Sequence, residues 1–234
     1  MIKKIILSMV ANFRKPKKQP KKQPTGPTVR LMQQSIVCCT PMPRLDESGQ
    51  RRQRNKLGFS VDPTATILLL GDSLLANWST NANEIHNMAV GGDCVQNTMW
   101  MVMNTSDEVC RHKFSKIFIL VGTNNITRRM DARPIISGLQ LLIQMVNDRW
   151  PDSTVVVMTI PHRNDPRARD PVRQRVNAWI SSGRVDFFDT DKCLSVNDSV
   201  LDEGGLHLLP SAYAHIHRDM IASLDQPAVV TLVA

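Results

Sequence analysis

A serine, two glycine-bearing turns and a histidine follow one another down this chain, residue types that could serve as nucleophile, hydrogen-bond donors and base. Ser73 lies in Gly71-Asp72-Ser73-Leu74, directly after the apolar run Ile67–Leu70. A serine in a tight turn from strand to helix can expose its hydroxyl as a nucleophile. Gly91-Gly92-Asp93 follows the segment Ile85–Val90, and glycines let backbone N–H groups approach a ligand closely. Gly122-Thr123-Asn124-Asn125 follows Lys116–Val121 and offers side-chain amides as donors. Gly204-Gly205-Leu206-His207 stands just before Pro210, with His207 as candidate base. Taken singly, these are a turn, a bend, a cap and a surface histidine. Their order carries the information: nucleophile, backbone donor, amide donor and base.

The elements that must position them alternate. Ile67–Leu70 is continuously apolar, as a strand buried on both faces would be. Ile85–Val90, Lys116–Val121, Val155–Ile160 and Val185–Asp189 read as four more strands. Ile135, Ile136, Leu139, Leu142, Ile143 and Val146 recur at helical spacing between Pro134 and Pro151. Residues 171–181 form a shorter helix, and Pro210 opens a last one with Ala214, Ile216, Met220, Ile221 and Leu224 inward. Met99, Met101 and Met103 alternate where a helix is expected after the Gly-Gly turn, so the two signals conflict there. Strands separated by helices imply βαβ units, hence an α/β protein with a five-stranded parallel sheet and helices on both faces. In such a sheet ligands bind just past the carboxyl ends of the strands, where all four motifs fall.

Together the four blocks resemble the SGNH (GDSL) hydrolase superfamily over about residues 64–226. Gly71-Asp72-Ser73-Leu74 matches its first block letter for letter. Asn87-Met88-Ala89-Val90-Gly91-Gly92-Asp93 resembles the second, in which the glycine before the aspartate donates its N–H. Gly122-Thr123-Asn124-Asn125 resembles the third, whose asparagine falls on Asn124, and Gly205-Leu206-His207-Leu208 with Pro210 resembles the fifth. The resemblance implies a three-layer, flavodoxin-like α/β/α sandwich and hydrolysis of esters, thioesters or acetyl groups without metal or cofactor. It implies Ser73 as nucleophile, His207 as base, and an oxyanion held by the N–H groups of Ser73 and Gly92 and the Asn124 amide. The substrate is then an ester-containing small molecule or lipid.

One position departs from the pattern. The family has an aspartate three residues before the histidine, where this chain has Gly204. Asp202 and Glu203 lie five and four residues before His207, and Glu203 has the longer reach. Either of them, or a backbone carbonyl, is left to orient the imidazole. Among the other histidines, His86 and His112 flank apolar stretches and read as structural. His162 follows the fourth strand, where it could line the cleft, and His215 and His217 fall on the last helix. Cys94 reads as a small buried hydrophobe, and Trp78, Trp100, Trp150 and Trp179 as packing anchors.

The 234 residues carry a net charge of +8 that is unevenly placed. Residues 1–56 hold 14 Lys/Arg against Asp46 and Glu47, a net +12, and residues 57–234 hold 15 Lys/Arg against 19 acids, a net −4. Residues 1–60 therefore read as a mostly disordered basic arm, 61–226 as the hydrolase-like domain and 227–234 as an apolar tail. The arm repeats Lys-Lys-Gln-Pro within Arg14–Pro24, a stretch with no apolar residue to bury apart from its prolines. Through residues 14–56, including Arg51, Arg52, Arg54 and Lys56, it suits nucleic acid or an anionic membrane. A second reading follows: a catalytically weak module in a nucleic-acid-binding protein, with an arm resembling those of LINE-retrotransposon esterase-bearing proteins or viral RNA-binding proteins. Dense charge after the short apolar run Ile5–Ala11 disfavours export, so cytoplasm or nucleus is expected, with secretion or mitochondrial import as alternatives. Five cysteines without CxxC spacing favour neither a zinc site nor a disulfide scaffold.

Overall fold

The computed structural model describes residues 26–78, 83–194 and 200–222. The chain divides into residues 1–30 and a compact unit from Leu31 onward. The centre of that unit is a five-stranded, all-parallel sheet in the order β2-β1-β3-β4-β5. The strands are β1 Ile67–Gly71, β2 Ile85–Asn87, β3 Lys116–Leu120, β4 Thr154–Met158 and β5 Asp186–Phe188. The apolar runs thus fold as expected, with shorter strands at the two edges.

The pleat sorts each run between two cores. Leu68, Leu70, Ile117, Ile119 and Val157 point to one face, and Ile67, Leu69, Phe118, Leu120, Val156 and Met158 to the other. The first face is covered by α4 (Val95–Asn104), α7 (Ala132–Arg149) and α8 (Asp170–Ile180). The second is covered by α3 (Ser73–Ala76) and α10 (Pro210–Ala222). Short helices α5 (Asp107–Arg111), α6 (Thr123–Thr127) and α9 (Thr190–Cys193) cap the connections. The result is the three-layer α/β/α sandwich. No helix among the described residues is long and apolar enough to cross a membrane.

Three details differ from the sequence reading. The methionine alternation is helical, with Met99 and Met101 buried on α4. Ala214 of α10 is exposed, and the buried face is Ala212, Tyr213, Ile216 and Met220; Leu224 lies outside the described residues. The largest difference lies within the expected arm. Residues Pro27–Cys38 form helix α1 and Glu47–Leu57 form helix α2, so the segment expected to be mostly disordered over 1–60 holds ordered structure in its second half. The Lys-Lys-Gln-Pro repeats, the apolar leader-like run and the tail 227–234 lie outside the described residues.

The connecting segment is pinned to the sheet's first layer. Met42 N–H donates to the Gln96 carbonyl (3.1 Å), and the Asn97 amide donates to the carbonyls of Met42 (3.0 Å) and Pro43 (3.3 Å). Cys38 is fully buried against α7, where Gly138 leaves room for it. A Cβ on Gly138 would come 2.8 Å from the Cys38 carbonyl oxygen and 3.0 Å from Val95. This fixes the expected sign of Gly138→Ala. Helix propensity alone favours alanine by about 1 kcal/mol, whereas overpacking costs about 1–3 kcal/mol. Urea unfolding should show a net loss of stability; a gain would mean that α1 does not pack there.

Candidate active site

Ser73's placement follows from how β1 ends. Asp72 N–H donates to the Leu120 carbonyl (3.2 Å), carrying the β1–β3 pairing one residue past Gly71. Gly71 has no side chain because a Cβ there would overlap the Leu120 carbonyl oxygen. The Asp72 carboxylate then accepts from the Leu74 N–H (3.0 Å) and turns the chain into α3. Leu74 and Leu75 anchor α3 in the core while Ser73, its first residue, stays partly open to solvent.

His207 reaches that serine from 134 residues away. Its Nε2 lies 3.1 Å from Ser73 Oγ, and its Nδ1 lies 3.3 Å from Asp202 Oδ2. A carboxylate beside Nδ1 keeps the proton there, which leaves Nε2 to accept from the serine hydroxyl. Of the two candidate acids, Asp202 faces the imidazole and Glu203 is exposed. The reason is a small hairpin. Leu201 and Leu208 form an antiparallel bridge, Asp202 N–H donates to the His207 carbonyl (2.7 Å), and Leu209 N–H donates to the Val200 carbonyl (2.8 Å). Asp202 and His207 therefore sit opposite each other, and the residues between them loop out through Gly204 and Gly205. Asp202 Oδ1 also accepts from the N–H groups of Leu206 (3.1 Å) and His207 (3.2 Å). These N–H groups, Leu206 first, and the imidazole hold its carboxyl below the ordinary range.

The turn Val90–Asp93 lies beside Ser73: a Cβ on Gly91 would stand 3.8 Å from Ser73 Cβ. Asp93 N–H donates to the Val90 carbonyl (3.1 Å), and Gly92 has φ +85°. Asn124, on α6, donates its amide to the Asp93 carbonyl (2.9 Å), which brings the second and third motifs together. Its neighbour Asn125 is buried and structural. It accepts from Val95 N–H (3.0 Å) and donates to Gln96 Oε1 (3.1 Å).

Two motif carboxyls are buried and perturbed. Burial pushes Asp72 up to about 7, opposed by the Leu74 N–H and reinforced by the charge of Asp93. Burial likewise pushes Asp93 up to about 7, against the Gln53 amide (3.1 Å) and the Arg44 guanidinium (3.6 Å). Cys94 is fully buried, and burial pushes its thiol up to about 12. His162 does not reach Ser73's partner set; its ring lies 3.9 Å from Asp191. His86 is buried and stacks on Phe114, His112 contacts the Ala65 carbonyl (2.6 Å), and His217 lies 3.5 Å from Glu84.

Residues that the motifs did not name complete the arrangement. Arg163, buried just past β4, donates to Thr123 Oγ1 (2.9 Å) and Thr127 Oγ1 (2.8 Å), and pairs with Asp165. It thereby braces the helix that carries Asn124. The next residue, Asn164, donates its N–H to the Gly205 carbonyl (3.0 Å) and so supports the histidine hairpin. A polar run just past a strand end, His162-Arg163-Asn164-Asp165, was the available signal. From the N-terminal segment, Gln53 is fully buried beneath Asp93. Arg44 Nη1 and Arg52 Nη2 donate to the Gly91 carbonyl (2.9 and 3.3 Å), and Lys56 Nζ to the Asn87 carbonyl (2.8 Å). Arg52 and Lys56, assigned on sequence to a polyanion surface, thus bind the Gly91 carbonyl of the site's turn and the Asn87 carbonyl at the end of β2.

The chain is similar to several known proteins. Residues 68–215 match the GDSL-like Lipase/Acylhydrolase family. The chain is 28% identical over 200 residues to the platelet-activating factor acetylhydrolase IB subunit alpha1 of Pongo abelii, covering 76% of this chain and 85% of the relative. The corresponding Homo sapiens subunit is 26% identical over 196 residues, covering 76% and 81%. Among solved structures, a putative platelet activating factor from Streptococcus pneumonia superposes with TM-score 0.61 at 18% identity, covering 84% and 95%. A mutant of an acetyl-xylooligosaccharide esterase from Geobacillus Stearmophilus gives TM-score 0.51 at 14% identity, covering 72% and 98%.

Two outcomes follow from the site. The folded Asp72 carboxyl binds its proton more tightly than the unfolded one (about 7 against 3.8). Its contribution to stability is therefore full below pH 3.8 and is lost as pH rises through about 7. Asp72→Asn keeps an oxygen for the Leu74 N–H and has no proton to lose. Urea unfolding across this window should lose up to roughly 1 kcal/mol per pH unit of its slope in the variant. Parallel profiles would show that Asp72 is ionised in the fold. Separately, Gly205 has φ +67°, and a Cβ there would overlap the Asn164 side chain. Gly205→Ala should displace the hairpin and lower turnover far more than the exposed Gly183→Ala, whose φ is also positive (+78°) but whose Cβ meets open space.

Proposed function

The chain belongs to the GDSL-like lipase/acylhydrolase family, and from that premise we propose a serine esterase that works through an acyl-enzyme on short acyl esters, acetyl esters among them, including those of lipids. One observation carries the reading: Ser73 Oγ, the His207 imidazole and the Asp202 carboxylate form a continuous chain at 3.1 and 3.3 Å. The acetylhydrolase names of the relatives favour a small acyl group.

In this mechanism Ser73 Oγ attacks the ester carbonyl carbon as its proton passes to His207 Nε2. Negative charge gathers on the former carbonyl oxygen, facing the N–H groups of Ser73 and Gly92 and the Asn124 amide. Such donors are each worth about 100- to 1000-fold in rate. The tetrahedral species collapses, and the alcohol leaves with the proton from His207. Water, deprotonated by the same imidazole, then attacks the acyl-serine and releases the acid. Asp202 stabilises the imidazolium in both halves without taking its proton.

The test is turnover of p-nitrophenyl acetate and a longer-chain homologue. Ser73→Ala and His207→Ala should be inactive while folded. Asp202→Asn should lower kcat by about 100- to 10,000-fold, since it removes the charge that fixes the tautomer. Glu203→Gln should leave kcat essentially unchanged. Turnover that persists in Ser73→Ala would refute the nucleophile, and the opposite ranking of the two acid variants would reassign the third member.

A further inference from the structure

We propose that Arg44, assisted by Arg52, is a positioning residue that locks the peptide between Gly91 and Gly92 with its N–H toward the oxyanion. The inference rests on the acyl-transfer reading above. Both arginines lie outside residues 68–215, the span that the family model matches.

The argument begins with the turn. A bond from Asp93 N–H to the Val90 carbonyl, positive φ at Gly92 and negative φ at Gly91 define a type II turn. Its central peptide consists of the Gly91 carbonyl and the Gly92 N–H. Types I and II differ chiefly by a rotation of this one peptide through about 180°. Most turns resist that rotation through their side chains, but here both central residues are glycines and accept either state. The peptide is trans, so its N–H and its carbonyl oxygen point in opposite directions. Rotation would take the Gly92 N–H from the oxyanion and present a carbonyl oxygen in its place, replacing attraction by repulsion.

Hydrogen bonds to that carbonyl bear directly on the choice. Arg44 Nη1 and Arg52 Nη2 donate to the Gly91 oxygen at 2.9 and 3.3 Å. Hydrogen bonds from a charged donor are about twice as strong as neutral ones, and the flipped peptide would give up both. The arginines also draw electron density toward the carbonyl oxygen, which strengthens the N–H of the same peptide as a donor. Arg44 is itself fixed before substrate arrives. Its side chain is 11% exposed, Nη2 lies 2.7 Å and Nε 2.9 Å from Asp46 Oδ1, and Nη1 lies 3.6 Å from the buried Asp93. It packs so closely over Gly92 that a Cβ there would overlap its Nη1. The preceding residues Met42 and Pro43 are bound to α4 by Asn97.

The experiment uses the full chain with Arg44→Ala, Arg44→Lys and Arg52→Ala. It measures kcat and KM for p-nitrophenyl acetate, the Kd of phenylboronic acid as a mimic of the tetrahedral oxyanion, and the unfolding midpoint. Arg44→Ala should lower kcat by about 10- to 100-fold, part of one donor's full value. KM should barely move, and boronate affinity should fall in step with kcat. Arg44→Lys, or methylguanidinium added to Arg44→Ala, should recover part of kcat. Arg52→Ala should lower kcat less and leave the midpoint unchanged. If Arg44→Ala fails to fold, the lysine variant and Arg52→Ala carry the same comparison. Unchanged kcat, an effect on KM alone, or losses that only track the unfolded fraction would overturn the proposal. Turnover that does not depend on Ser73 would remove the esterase reading and this role with it. Ser73-dependent turnover indifferent to both arginines would remove this role alone.

Discussion

The register of β1 against β3 governs where Ser73 and Asn124 fall. Gly71 pairs with Leu120, and the bond from Asp72 N–H to the Leu120 carbonyl extends the ladder to the residue before Ser73. Ser73 leaves one strand and Asn124 leaves its neighbour from the same level of the sheet. A slip of one residue would turn each buried run onto the wrong face. It would also move Ser73 away from the turn at Gly91-Gly92. Because both faces of these central strands are packed, such a slip would exchange the two apolar sets between cores shaped for the other one. The core that stabilises the sheet is thus the same structure that aligns the site.

On that edge the parts divide by how they are held. Ser73 is set by its own backbone, through the β1 end and the Asp72 cap. His207 is set by a hairpin that leans on Asn164. The donors of the Gly91-Gly92 turn depend on side chains from further away, Asn124 on one side and the two arginines on the other. The region carrying those arginines is polar almost throughout. It folds because Asp46 caps α2 through the Gly49 N–H, Gln53 is buried against Asp93, and Lys56 binds the Asn87 carbonyl. Buried polar contacts of this kind hold a segment that has little apolar surface of its own.

This division explains what could be read from the sequence. Ile67–Leu70, Lys116–Val121 and Val155–Ile160 are buried runs whose composition dictates strand, and α7 shows its apolar stripe plainly. Ser73, His207 and Asn124 lie in short motifs fixed by local geometry, so they too were legible. Asp202 and Glu203 were not separable, because the decision lies in the Leu201–Leu208 pairing, a cross-chain contact without a spacing signature. Residues 27–57 read as an arm because their charge was counted without partners. The carbonyls that Arg44, Arg52 and Lys56 bind lie 31 to 47 positions away. On α10, Ile216 and Met220 face inward as their spacing implies, while Tyr213 rather than Ala214 fills the space beside Trp78, a contact that spacing does not encode.

The 134-residue span between Ser73 and His207 has a consequence for how the protein is made. Loop closure over such a distance comes late, after nearer contacts have formed. On a ribosome, the strand bearing the serine emerges and can pair with its neighbours long before the histidine is synthesised. Until the final hairpin docks, Ser73 has no imidazole within reach. On the acyl-transfer reading the protein thus gains its proposed activity as one of the last events of its own assembly, and a chain cut short before residue 207 would carry the sheet without that imidazole.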